Sequence, residues 1–269
     1  MDLYLGIDGT GPSNNDEYRR DFANSYVRKI WSTWGANTGG YLRGPGLMGG
    51  ETLSLVESGT KWMTDRAKPL KDAGTPFRIF LAGYSRGGAA ATEMAFRLKT
   101  LGYSVHCLIL FDAVDRSNLG NADVVPSNVK MCYHARRDPA AGSREGFGNC
   151  ATRAATGVAY TQKFFYGTHG AIGGTPWTVA AASGKIEELT SSNKIAAVAL
   201  GALLGGSAGG TAAKSAADHQ DFTNVTLAQE RAAAAAVWEW MSGNLDLAKS
   251  RAMAGVDMPL GIAGRSQHV

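Results

Sequence analysis

The residues best suited to chemistry begin at Gly83-Tyr84-Ser85-Arg86-Gly87, a G-x-S-x-G pentapeptide. A serine hydroxyl is a weak nucleophile until a base takes its proton and an acid orients that base. Downstream, Asp112, Asp138 and His169 each follow a strand-like run. His169 is the candidate base, with His134 and His219 as weaker alternatives. Asp112 and Asp138 compete for the acid, because that residue can follow either of the two strands after the serine. Serine, then aspartate, then histidine is one of the known chain orders for this trio. Upstream, the loop Asp8-Gly9-Thr10-Gly11-Pro12 offers backbone N–H groups. The Arg86 N–H, with Gly9 or Thr10 contributing a second donor, would stabilise the oxyanion of an acyl transfer. Two plainer readings compete. The first loop could cradle a phosphate, although no Lys-Ser/Thr of the P-loop type follows it. The pentapeptide could be a glycine-rich turn in which Ser85 only caps a helix. The Arg86 side chain suits either bracing of the turn or contact with a phosphate.

Elements that would position these groups are legible in the apolar patterning. Phe77 to Ala82 is a short apolar run that leads into the pentapeptide, and an Ala-rich segment to Thr100 follows with helical periodicity. Strand, sharp turn and helix form the context in which G-x-S-x-G marks a nucleophile elbow. Leu3–Ile7, Val105–Phe111, Val129–Ala135 and Ala159–Tyr166 read as further strands. The stretch 16–34 is a polar segment followed by an amphipathic helix, with Val27, Ile30, Trp31 and Trp34 at three- and four-residue steps. Residues 35–50, rich in glycine, read as a loop; 51–73 and 227–241 read as helices. His106 lies inside a strand and reads as a core histidine. Strands alternating with helices predict an α/β fold, a doubly wound and mostly parallel sheet with helices on both faces. Ligands of such sheets sit at the carboxyl ends of the strands, where Asp8, Ser85, Asp112, Asp138 and His169 all fall.

The 269 residues, 44% of them hydrophobic, suffice for one large domain spanning 1–269. A net charge of +4 without clusters of Lys and Arg gives no argument for nucleic acid, though it suits an anionic substrate or membrane surface. Cys107, Cys132 and Cys150 have no ligand spacing and read as buried thiols; no metal or cofactor is expected. The N-terminus lacks the basic and apolar regions of an ordinary signal peptide. Between Lys194 and Lys214 lie nineteen uncharged residues, mostly Ala and Gly. Their length touches the lower limit for a membrane span. The stretch 195–213 is therefore read as a lid or membrane-contacting segment within an insertion at 175–218. A non-enzymatic, membrane-active toxin or scaffold using that stretch is the alternative function.

Taken together, Ile7-Asp8-Gly9-Thr10-Gly11, Tyr41-Leu42-Arg43-Gly44-Pro45-Gly46, Gly83-Tyr84-Ser85-Arg86-Gly87-Gly88-Ala89, Phe111-Asp112-Ala113-Val114 and His169-Gly170-Ala171-Ile172-Gly173-Gly174 occur in this order. With them, the chain resembles a family of α/β-hydrolases that includes the type VI secretion phospholipase effectors. The late Trp238-Glu239-Trp240-Met241 is similar to that family's end. The resemblance implies an α/β-hydrolase-like fold and a serine esterase or lipase, with an ester or phospholipid as substrate. It favours Asp112, which matches the family's Phe-Asp-x-Val position, over Asp138. It also implies an immunity or secretion partner, and export from the producing cell's cytoplasm by a specialised secretion system. One position departs from the pattern: the family tends to carry an acid two residues after the histidine, and here that residue is Ala171.

Overall fold

The first strand, β1 (Asp2–Ile7), alternates as a sheet buried on both faces requires. Leu3, Leu5 and Ile7 point into one apolar layer and Tyr4 into the other. The computed structural model describes residues 1–46, 49–117, 119–188 and 222–251. The stretch 195–213, His219 and most of the span 175–218 expected to be an insertion lie outside the described residues.

After β1 come two short helices, α1 (Asn15–Asp21) and α2 (Tyr26–Trp31). The segment expected to end in one amphipathic helix is broken here because Ser25 caps α2, its hydroxyl accepting from the Arg28 N–H. Next are β2 (Gly39–Leu42), α3 (Thr52–Asp72), β3 (Arg78–Tyr84), α4 (Arg86–Thr100) and β4 (Val105–Phe111). Then follow β5 (Val124–Val125), β6 (Val129–Arg137), β7 (Arg153–Ala154), β8 (Ala159–Phe165) and α5 (His169–Gly173). The described chain closes with β9 (Lys185–Glu187), β10 (Phe222–Thr226) and the long α6 (Leu227–Ser250). A capping box between Thr226 and Gln229 starts α6.

Six strands form one sheet in the order β2-β1-β3-β4-β6-β8, and every neighbouring pair is parallel. Helices α3 and α4 cover one face, where Val56, Met63, Met94 and Leu98 meet Leu5, Leu81 and Leu108. The other face is covered by α1, α2 and α6 and is rich in aromatic side chains, among them Tyr4, Phe22, Tyr26, Phe80 and Phe111. The sheet is thus doubly wound, an α/β-hydrolase-like arrangement. The chain leaves β1 for β2 on one side and returns to β3 on the other. The carboxyl ends of β1 and β3 therefore flank the point where winding reverses, and that is where a crevice opens in such sheets.

Strand β2 lies inside the glycine-rich stretch expected to be a loop. Its glycines are there for clearance. A Cβ on Gly39 would lie 2.6 Å from the Trp34 Cβ, and one on Gly40 would lie 2.6 Å from Leu5 and 2.8 Å from Trp62. Bulky neighbours replace the side chains that would otherwise have signalled a strand. Strand β6 runs two residues further than the apolar pattern suggested, carrying Arg136 and Arg137 on its end. His106 is half-buried beside the Ala248 carbonyl, 2.9 Å from Nε2, in the packing role expected of it. Among the described residues, no helix is long and apolar enough to cross a membrane.

The first turn of α4 packs closely against the end of β1. A Cβ on Gly87 would lie 2.2 Å from the Ile7 carbonyl oxygen and 2.3 Å from that of Asp8. Both obstacles are backbone, so neither can swing away. Gly87→Ala is expected to destabilise the protein by about 3 kcal/mol or more, as overpacking against rigid atoms does. The shift of the urea unfolding midpoint measures it, and an unchanged midpoint would refute the rigid contact.

Candidate active site

Ser85 occupies the turn between β3 and α4 with φ 55° and ψ −127°. A non-glycine residue pays strain in that region, of order 1–3 kcal/mol, and holds it only where its surroundings enforce it. Here Gly83 and Gly87 enforce it: a Cβ on Gly83 would lie 2.3 Å from the Gly87 carbonyl oxygen. Backbone bonds complete the constraint, from the Ser85 N–H to the Phe111 carbonyl (3.1 Å) and from the Val114 N–H to the Ser85 carbonyl (3.1 Å). Ser85 stands at the N-cap position of α4, yet its side chain makes no capping hydrogen bond. The hydroxyl is therefore not spent on holding the helix, which removes the plain reading of this serine.

Asp112 follows β4, also at positive φ (43°), and is fully buried. Such a carboxylate must be satisfied from all sides. Its Oδ2 meets His169 Nδ1 at 2.6 Å and also takes the Arg137 guanidinium. Its Oδ1 accepts from Asn149 Nδ2 at 2.8 Å and from the Arg137 backbone N–H at 3.3 Å. Burial by itself would push the Asp112 carboxyl up; the His169 hydrogen bond and charge, with Arg137, hold it well below the usual carboxylate range. For His169, burial pushes the imidazole down, the hydrogen bond and charge of Asp112 push it back up, and Arg137 and Arg144 add to the lowering; the net direction is down.

His169 is the first residue of α5, whose N-cap is Thr168. Three contacts set its backbone. The His169 N–H donates to Ser143 Oγ (2.8 Å), and Tyr84 Oη donates to the His169 carbonyl (3.1 Å). Glu230 of α6, fully buried, accepts from the Thr168 N–H (2.9 Å) and hydroxyl (2.7 Å) and from the Trp177 N–H (3.1 Å). The imidazole lies 4.9 Å from the ring of Tyr84, the residue just before Ser85, and meets Phe147 edge-on at 5.7 Å. Ala171 packs with Ala233 and Ala234 of α6, so an acid at that position would be buried among methyl groups; the acid of this region is Glu230.

The other candidates have different partners. Asp138 caps a 3-10 turn through the Ala140 N–H (2.9 Å). His134 is buried, accepts from the Ala113 N–H at Nε2 (3.1 Å), and is pushed down to about 4 chiefly by burial. It supports the backbone beside Asp112. In the first loop, Gly9 N–H is committed to the Asp8 side chain (3.0 Å) and Gly11 N–H to the Pro45 carbonyl (3.2 Å). No hydrogen bond among the described residues engages the Thr10 N–H, and the Thr10 hydroxyl takes one from Arg86 Nη1 at 3.0 Å. With two of its N–H groups turned inward, this loop is not a phosphate cradle. Its own anchor is Asp8, fully buried, whose Oδ2 accepts from Tyr41 Oη (2.9 Å) and from the Ser25 hydroxyl. No group of three or more His, Cys, Asp or Glu side chains among the described residues is placed to hold a metal ion. The three cysteines are free and buried.

Arg137, Asn149, Ser143 and Glu230 went unread in the sequence as parts of this site. Two weak signals existed. Glu230 opens an Ala-rich helix, and Asn149 and Ser143 lie in the loop that leaves the carboxyl end of β6.

No family model matches this chain, and no curated protein does. Among solved structures, it is similar to an uncharacterized protein from Pseudomonas aeruginosa (TM-score 0.42, 16% identity, covering 65% of this chain and 42% of that one). It is also similar to a structure of the metagenome-derived lipolytic enzymes LipS and LipT (TM-score 0.24, 13% identity, 61% and 82%). A third is an iodinated complex of an acetyl xylan esterase (TM-score 0.22, 16% identity, 59% and 81%). The chain spans less than half of the Pseudomonas protein.

Asp8 gives this site a signature in stability. Burial pushes its carboxyl up to about 6, against the hydrogen bonds from Ser25, Tyr41 and Gly9. A carboxyl whose folded value is raised keeps its proton in the native state while the unfolded chain loses it, so stability falls as pH rises from about 4 to about 6. The shift corresponds to roughly 3 kcal/mol. Asp8→Asn is expected to remove that loss. Urea unfolding at pH 4 and pH 7 measures it, and an equal loss in wild type and variant would refute the assignment.

Proposed function

We propose that this protein is a serine hydrolase that cleaves carboxylic esters through an acyl-enzyme. The observation that carries the reading is the Asp112–His169 pair, 2.6 Å apart, packed against Tyr84 beside a strained Ser85 whose hydroxyl is not used for capping. Asp112 holds Nδ1 of the imidazole, which leaves Nε2 as the basic atom. That nitrogen takes the Ser85 proton as Oγ attacks the ester carbonyl, then returns a proton to the departing alcohol. Water repeats the sequence to release the acid. The tetrahedral oxyanion is received by the backbone N–H groups of Arg86, at the start of α4, and of Thr10. Gly9 is set aside as second donor because Asp8 already holds its N–H. Helix α4 also directs the positive end of its dipole at this point.

Within that class, a lipase or phospholipase-type substrate is favoured by the motif resemblance, and Asp112 rather than Asp138 is the acid. Membrane contact and a secretion or immunity partner rest on that resemblance alone. A panel of acyl esters and phospholipids, combined with a fluorophosphonate label, tests the reading. Ser85→Ala is expected to lower kcat on the order of 10⁶-fold and to abolish labelling. Asp112→Asn is expected to cost on the order of 10⁴-fold, with Asp138→Asn within about 2-fold of wild type. Hydrolysis that persists in Ser85→Ala would sink the enzyme assignment; a large loss only in Asp138→Asn would reassign the acid.

A further inference from the structure

One oxygen of Asp112 serves two cationic or potentially cationic partners. Oδ2 receives both His169 Nδ1 and the Arg137 guanidinium. Arg137 is itself buried, and its other two nitrogens, Nε and Nη2, donate to the carbonyls of Ser143 (2.8 Å) and Arg144 (2.9 Å). Its backbone N–H reaches the other carboxylate oxygen, so the residue grips Asp112 from two directions. Ser143 in turn receives the His169 N–H. Arg137 thus links the acid, the loop 143–144 and the backbone of the base.

We propose that Arg137 is a positioning residue that locks Asp112 against His169 and, by neutralising that carboxylate, sets the acidity at which the imidazole stops serving as base. The inference rests on the serine-hydrolase reading above. In a pair made of histidine and aspartate alone, protonating the imidazole creates a neutral ion pair. Here the carboxylate is already balanced by Arg137, so protonation leaves one uncompensated positive charge on a largely buried ring. The penalty for that charge keeps the imidazole neutral, and basic, to lower pH.

Other groups around the ring do not reverse this sign. Tyr84, at the end of β3, remains a neutral phenol, since burial pushes it far up. Arg144, beyond β6, adds a second lowering influence and is itself paired with Glu188 at 3.6 Å. Phe147 is uncharged, with Arg116 4.7 Å over its face. Glu230 of α6 spends its carboxylate on Thr168 and Trp177 rather than on the ring.

The test is the pH dependence of Ser85 labelling by a fluorophosphonate, which needs no knowledge of the natural ester. In Arg137→Gln, the acid midpoint of the labelling rate is expected to rise by about 1 pH unit. In Arg137→Lys, which restores the charge without the fork, the midpoint returns toward wild type while the rate stays reduced. Arg137→Met removes the same charge with a side chain that fills similar space, so it is expected to raise the midpoint as well and decides the matter if Arg137→Gln does not fold. A midpoint unmoved in the folded charge variants overturns the role of Arg137, even with labelling slowed. Failure of wild-type Ser85 to label at all would instead overturn the hydrolase reading beneath it.

Discussion

A carboxylate sealed from water must find its counter-charge and its hydrogen bonds inside the protein, and Asp112 is the point at which this structure meets that demand. The uncompensated cost of burying such an ion is several kcal/mol. Meeting it takes His169 from the start of α5, Arg137 from the end of β6 and Asn149 from the loop beyond. Those contributors are far apart in sequence, so the carboxylate organises the carboxyl edge of the sheet. The order of strands makes this possible: β3, β4 and β6 are neighbours, which sets Ser85, Asp112 and Arg137 at adjacent strand ends.

Two further buried acids do related work on either side. Asp8 ties the first loop to Ser25 and Tyr41, and Glu230 ties the turn before His169 to the last helix. Each has hydroxyl or N–H donors rather than a bonded cation. The loops they hold contain Thr10 and His169, the two groups to which the proposed acyl transfer gives the second oxyanion donor and the base. Loops carrying function are ordinarily the more mobile parts of a fold. Anchoring them through charge-assisted hydrogen bonds fixes their geometry at a cost in desolvation, and the raised value at Asp8 is the visible trace of that cost.

The aromatic face of the sheet completes the arrangement. Tyr84 contacts the imidazole and bonds the His169 carbonyl, while Phe22 lies 6.4 Å from its ring and Tyr18 stacks on Phe22 at 4.2 Å. Tyr18 in turn donates to the Gly9 carbonyl and accepts from the Gly44 N–H. Histidine loop, elbow and first loop are therefore joined through one stack of rings. Packing and site geometry are the same contacts here, so a change in this layer is felt at the serine.

Much of this was legible in the chain itself, because its signals are local. Apolar runs located β1, β3, β4 and β6 of the central sheet, a more polar strand-like run located β8, and the glycines at 83 and 87 marked a turn whose backbone contacts leave no room for a Cβ. The same glycine logic concealed β2, where large neighbours occupy the space that strand side chains would have filled. What a linear pattern could not express was partnership. Asp112 and Asp138 look alike from sequence, each an acid after a strand, and only the fold separates them: one is enclosed with His169, the other caps a turn. Arg137, beside Asp138 in the chain, joins Asp112 instead, because the parallel pairing of β4 with β6 brings their ends together. Local residue types determined the elements and the kind of chemistry on offer. Which groups meet was decided by strand order and by the need to satisfy each buried charge, both properties of the folded chain alone.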